Sequence, residues 1–134
     1  MPIKSFQQLK YEAAWLGPKR VAIAAAANEE ILQAAREAQS AGMAHCLLVD
    51  DKAKLVRLAE AHHVAIDDMT ILDNGDDEQA SLAVARMARA GEADVVMKGA
   101  VKTAPFMRAV LDRDAGLRTG RLFTHVAVFE IPGF

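Results

Sequence analysis

Arg20-Val21-Ala22-Ile23-Ala24-Ala25, running straight on into Ala26-Ala27-Asn28-Glu29-Glu30-Ile31, is the stretch that decides the fold. Its first six residues are continuously apolar after the arginine, the pattern of a strand covered on both faces. Asn28 then suits a helix N-cap, because its side-chain oxygen can accept an otherwise orphaned backbone N–H. Glu29 and Glu30 fall in the first turn, where the helix dipole favours negative charge. Ile31, Ala35, Ala38 and Gly42 continue along one helical face. A buried strand that passes directly into an amphipathic helix is one unit of an alternating fold.

The same unit recurs along the chain. Upstream, Phe6, Leu9, Ala13 and Leu16 mark a helix that Gly17-Pro18 stops. Downstream, His45 to Val49 reads as a second short strand, and Leu55, Leu58, Ala59 and His62 face one way on a third helix. Met69 to Leu72 is a weaker third strand, Asn74-Gly75 is a turn, and Ala80, Ala83, Val84, Met87 and Ala88 stripe a fourth helix ending at Gly91. Asp94 to Met97 is a fourth strand. Thr103 is placed to cap a fifth helix, with Phe106, Met107, Val110 and Leu111 on its apolar side and Pro105 tolerated in its first turn. His125 to Ile131 reads as a fifth strand. Strict alternation of this kind predicts an α/β fold: three layers, doubly wound, with a mostly parallel sheet between helices.

Bulk properties narrow the functional classes. Sixteen basic against eighteen acidic residues give a net charge of −2, which argues against a nucleic-acid or membrane surface built on overall charge but leaves room for a local basic cleft. The one cysteine, Cys46, lies in the apolar run His45 to Val49 and reads as a small buried hydrophobe. Met1-Pro2-Ile3-Lys4 lacks the apolar core of a signal peptide, and no apolar run reaches membrane-spanning length. The expectation is a cytoplasmic protein with neither a membrane nor a nucleic-acid partner. Pro132-Gly133 is a turn signal directly after a strong strand, so a further element is expected beyond Phe134. The chain then reads as one part of a larger protein, or else as a short domain whose last strand lies at a covered edge.

Two loops concentrate cations. Met97-Lys98-Gly99-Ala100-Val101-Lys102-Thr103 takes the chain from the fourth strand into the fifth helix. In open α/β sheets ligands bind beyond the carboxyl ends of the strands. An anion there would meet Lys98, Lys102, the helix start at Thr103 and a backbone that Gly99 lets come close or turn to positive φ. Gly116-Leu117-Arg118-Thr119-Gly120-Arg121 is a glycine-flanked loop with two guanidinium groups, each able to hold phosphate oxygens in pairs. Arg108, about one turn into the fifth helix, either reaches the same cleft or faces water. The alternative reading is a tight turn with solvated lysines and an ordinary basic loop. Gly99 to Thr103 is not a Walker loop, because Val101 stands where glycine is required before the lysine. The loop after the first strand has no glycine, so no dinucleotide fingerprint is present. His125 is a weak candidate for a catalytic base against a packing role. His62-His63 suits a helix end, and Asp76, Asp77 and Glu78 suit a helix start. No metal-ligand spacing and no Ser-His-Asp set is found.

Lys98-Gly99 through Thr103, Arg108 to Leu111, Ala115 to Leu122 and His125 to Phe134 together resemble the phosphate acetyl/butyryltransferase family, closest to its phosphate butyryltransferase branch. The specific match runs over about residues 94 to 134, and the upstream alternation is compatible with it. The resemblance implies reversible transfer of an acyl group between coenzyme A and inorganic phosphate, with acyl-CoA and phosphate as substrates, no bound cofactor and no metal. It implies an isocitrate/isopropylmalate dehydrogenase-like first domain over residues 1–123. Residues 124–134 would be a strand leading into a second, absent domain that makes a homodimer in the complete protein. Phosphate- or coenzyme A-binding roles then fall to Lys98, Gly99, Lys102, Thr103, Arg108, Arg118, Thr119, Gly120 and Arg121. In many members the position of Lys102 is a histidine. A lysine keeps the charge but serves as a base near neutrality only if its pKa is strongly lowered. Other family groups near the thioester have no counterpart in this sequence. Two further readings stand beside this one: a non-catalytic phosphate/coenzyme A-binding or assembly domain, and one half of a split or fused acyltransferase.

Overall fold

The computed structural model describes residues 5–112 of the chain. Five helices and four strands alternate: α1 (Phe6–Trp15), β1 (Lys19–Ala24), α2 (Glu29–Ser40), β2 (Ala44–Asp50), α3 (Lys52–Ala61), β3 (Thr70–Asp73), α4 (Asp77–Arg89), β4 (Val95–Lys98) and α5 (Thr103–Val110). The four strands form one all-parallel sheet in the order β3-β2-β1-β4. This is the expected α/β architecture. The expected fifth strand, the loop carrying Arg118 and Arg121, and the domain boundary at residues 123 and 124 lie outside the described residues.

Alternation along the central strands sorts side chains to two cores. Ile23, Cys46 and Leu48 pack with Leu32 and Ala35 of α2 and Leu55 and Ala59 of α3. Ala22, Ala24 and Val49 pack on the other face with Ala80 and Val84 of α4 and Phe106 and Val110 of α5. The sheet is therefore covered on both sides over β1 and β2. Cys46 is buried as expected, and burial pushes its thiol pKa up, so it behaves as a hydrophobe rather than a nucleophile.

Four helices begin on a side chain that caps them. Ser5, Asn28, Asp51 and Asp76 accept from the N–H three residues on, in α1, α2, α3 and α4 respectively. Asp77 and Glu78 occupy the first turn of α4, and His62 is the C-cap of α3, its Nδ1 3.3 Å from Glu29 Oε1. The Asn28 cap, the acidic start of α4 and His62 at a helix end match the sequence reading, and the caps at Ser5 and Asp51 were not part of it.

Two expectations differ in detail. Helix α1 forms, but its stripe Phe6, Leu9, Ala13 and Leu16 is not buried among the described residues, and Trp15 is 78% exposed. Helical periodicity gives a helix a stripe without supplying a surface to cover it. Strand β4 is shifted by one residue from the expected span, and its Val95 and Met97 are also exposed. They lie at the sheet edge, on the face that α2 and α3 cover over β1 and β2.

The amino-terminal end of the sheet is fastened by charge. The Asp94 carboxylate accepts from Arg20 N at 2.9 Å, from Nε at 3.2 Å and, through its second oxygen, from Nη2 at 3.2 Å. These bonds hold the Asp94 pKa down at about 2. Arg36 makes a similar two-pronged pair with Asp68, whose pKa is also lowered.

Two outcomes are expected. The Asp94 pKa is depressed below its ordinary 3.8, so the stabilisation it provides is complete above that value and is lost as pH falls toward about 2. Thermal midpoints of the parent and Asp94→Asn should differ at pH 6 and converge near pH 2, and a gap that widens in acid would contradict this. Gly99→Ala should cost on the order of 1–3 kcal/mol in urea unfolding, because a Cβ at that position would overlap the carbonyl oxygens of Ala24 and Ala25.

Candidate functional site

In the strand order β3-β2-β1-β4 the chain leaves β1 toward one neighbour and returns at β4 on the other side. The loops after β1 and β4 consequently turn to opposite faces and leave a crevice at the carboxyl edge. Ala25 to Asn28 form one wall and Gly99 to Lys102 the other.

The wall after β1 is closed to ligands through its backbone. Ala25 N–H and Ala26 N–H donate to Val49 O at 2.8 and 3.4 Å, Ala27 N–H donates to Asp50 Oδ2 at 2.9 Å, and Asn28 N–H donates to Ala26 O at 2.8 Å. Ala25 is held at φ +58°, in a region that disfavours any residue with a Cβ. Glu29 and Glu30 open α2, so its N-terminus repels anions.

The wall after β4 is the opposite. Gly99 N–H and Ala100 N–H donate to Ala24 O and Ala25 O, both at 2.8 Å, and bind the two walls together. Beyond them, the N–H groups of Lys102, Thr103 and Ala104 make no backbone hydrogen bond among the described residues. Lys102 is the N-cap of α5 and provides no side-chain cap. Lys98 Nζ folds back to donate to Val101 O at 2.7 Å, which holds its charge beside this helix start. A helix N-terminus with no side-chain cap, a lysine at its N-cap position and the Lys98 ammonium on the preceding loop has the donors and the field for a phosphate group.

Two sequence expectations change at this wall. Thr103 is the first residue of α5 and does not cap it, because the chain enters the helix one residue earlier than the hydroxyl pattern suggests. Gly99 does not take positive φ. Its missing Cβ serves the close approach to the carbonyls of Ala24, the last residue of β1, and of Ala25 just after it. Arg108 lines a groove of 230 Å³ between α4 and α5 with Glu78, Pro105 and Asp112, and neither Lys98 nor Lys102 lines it. Arg118, Thr119, Gly120, Arg121 and His125 lie outside the described residues. Among the described residues no group of three His, Cys, Asp or Glu is arranged to hold a metal, and no helix is long and apolar enough to cross a membrane.

Sequence reading passed over Asp50. It ends the apolar run Leu47-Leu48-Val49 and looks like the polar stop of a strand. The structure buries it to 8% exposure and places both of its carboxylate oxygens on backbone N–H groups. The detectable signal was an acidic residue inside a hydrophobic strand and followed directly by a second, helix-capping aspartate.

Known proteins resemble this chain over most of its length. No family model matches it. The chain is 38% identical over 131 residues to a phosphate butyryltransferase of Clostridium beijerinckii and 39% identical over 132 residues to one of Clostridium acetobutylicum. Each alignment covers 98% of this chain, which spans 43% and 44% of those relatives' lengths. A phosphate acetyltransferase of Thermotoga maritima is 33% identical over 116 residues, covering 87% of this chain and 39% of its own. Among solved structures, EutD phosphotransacetylase from Staphylococcus aureus superposes with a TM-score of 0.61 at 18% identity, over 77% of this chain and 39% of that one. A branched-chain phosphotransacylase from Enterococcus faecalis gives 0.55 at 17%, over 69% and 33%. At that identity the superpositions speak for the fold.

The capping assignment predicts a contrast. Asp76→Ala removes a side-chain cap and should cost about 1 kcal/mol. Thr103→Ala removes none and should stay within about 0.5 kcal/mol of the parent. Paired chemical denaturation curves measure both.

Proposed function

We propose that this chain, homologous over 98% of its length to the phosphate acetyl/butyryltransferase family, carries phosphate- and coenzyme A-binding groups of an acyltransferase. The reaction moves a butyryl or acetyl group reversibly between coenzyme A and inorganic phosphate. The observation that carries this reading is the 38–39% identity to two phosphate butyryltransferases. The start of α5, which follows Lys98 and Lys102 in the loop after β4, supplies donors of the kind the chemistry needs.

A phosphate oxygen attacks the thioester carbonyl carbon and forms the new C–O bond. The C–S bond then breaks, and its electron pair leaves with the coenzyme A sulfur as thiolate. The protein's work is to hold one polyanion against another and to stabilise negative charge as it develops. Lys98, Lys102 and the free amides of Thr103 and Ala104 suit an anion at the crevice. Gly99 contributes by letting this loop sit directly on the end of β1. Arg118 and Arg121, with Thr119 and Gly120 between them, are proposed to grip phosphate or the coenzyme A phosphates. Arg108 is a weaker contributor, given its groove beside Glu78 and Asp112. The direct attack calls for no metal. His125 is kept as a candidate base, and a cytoplasmic homodimer is the proposed working form.

The relatives are more than twice as long as this chain, so the activity is proposed for the enzyme in which this part works. Binding of coenzyme A or phosphate without turnover fits a non-catalytic binding or assembly domain, and a partner that restores activity fits one half of a split or fused enzyme.

The test is phosphate-dependent thiol release from acetyl-CoA and butyryl-CoA. Each charge-assisted bond to phosphate contributes on the order of 1.5–3 kcal/mol. Arg118→Ala in the complete enzyme should therefore raise the phosphate concentration at half-maximal rate at least about tenfold, with no change on adding chelator. Absence of both turnover and any binding of coenzyme A or phosphate would overturn the proposal.

A further inference from the structure

Asp50 is the buried carboxylate at the carboxyl end of β2, and the proposed chemistry gives it no part. Its Oδ2 accepts from Ala27 N–H at 2.9 Å, and its Oδ1 accepts from Asp51 N–H at 2.7 Å. Its backbone carbonyl accepts from Asn74 N–H at 3.0 Å. One residue thus ties together the loops leaving β1, β2 and β3. The first of these continues to the fourth loop, because Ala25 O accepts from Ala100 N–H at 2.8 Å, three residues before α5 begins. Ala25 keeps its left-handed conformation between these two attachments.

We infer that Asp50 is a positioning residue: by fixing Ala27 it sets the loop after β1, and through the Ala25–Ala100 bond it sets the start of α5, where the phosphate-bearing ligand is received. The inference rests on the proposed function. A carboxylate suits this task because both of its oxygens accept. Asparagine is nearly the same size but must turn an NH₂ toward one of the two N–H donors and loses one of the bonds. Burial raises the cost, since the abandoned donor is shielded from water.

The experiment compares Asp50→Asn with Asp94→Asn in the full chain. The Asp94 carboxylate likewise accepts through both oxygens, from the backbone and side chain of Arg20, but at the opposite end of the sheet, so its variant controls for lost stability alone. Amide hydrogen exchange should speed up at least tenfold at residues 25–28 and 99–101 in Asp50→Asn and remain at the parent rate there in Asp94→Asn. Titration of coenzyme A and of inorganic phosphate should show affinity at least fivefold weaker for Asp50→Asn only. Parent-like exchange in both loops, or parent-like affinity in Asp50→Asn, overturns the positioning role. Equal weakening in both variants reduces Asp50 to a stability effect and also overturns it. A parent chain that binds neither probe brings down the proposed function instead, and the positioning role of Asp50 falls with it.

Discussion

The structure depends on a central strand whose buried carboxyl half, Ala22-Ile23-Ala24, runs straight on into Ala25, Ala26 and Ala27. β1 is hydrogen-bonded on both sides and covered on both faces, and Ile23 is its one large side chain that is fully buried. Ala22, Ala24, Ala25 and Ala26 are at most 2% exposed. Side chains this small let α4 and α5 settle on one face while α2 and α3 settle on the other. They also leave the strand's last carbonyls bare enough for the loop after β4 to lie against them. Gly99, directly after β4, completes this contact, since a Cβ there would overlap the carbonyl oxygens of Ala24 and Ala25.

Carboxylates and other short polar side chains are placed where backbone N–H groups would otherwise be orphaned. Asn28, Asp51 and Asp76 close three of the sheet-packed helix starts, and Asp50 closes the loop between the first two strands' ends. The start of α5 is left out of this scheme and has lysine around it instead. Polarity along the carboxyl edge thus divides in two. Acid and closed backbone lie over β1, β2 and β3, and base and open backbone lie over β4. Among the described residues, the start of α5 is the sheet-packed helix start with neither a side-chain cap nor an acidic first turn, which suits the proposed anion.

Much of this was legible in the chain. The four described strands, their helices and the caps at Asn28 and Asp76 follow from local patterns, because strand burial and capping are set within a few residues. What escaped the sequence depends on distant partners. Nothing near Gly99 says that its neighbours are Ala24 and Ala25, about seventy-five residues earlier in the chain. Asp50 looks like a surface residue until β1 is laid beside it. Thr103 has the chemistry of a cap but stands one residue inside the helix, and a one-residue shift is below what a propensity pattern resolves. The exposed stripe of α1 is the reverse case, a correct local reading for which the described residues supply no covering surface.

The two seams of β1 are closed over very different lengths of chain. The Ala27–Asp50 contact bridges 23 residues, whereas Arg20–Asp94 bridges 74. Loop-closure entropy makes the longer bridge costlier by roughly 1 kcal/mol before any contact compensates it. Entropy therefore favours pairing of β1 with β2 before β4 joins, and the wall bearing Lys98 and the start of α5 arrives with β4. The carboxyl edge is complete only when the most sequence-distant strand pairing is made, so slow docking of β4 delays assembly of that edge while leaving the β1–β2 core already formed.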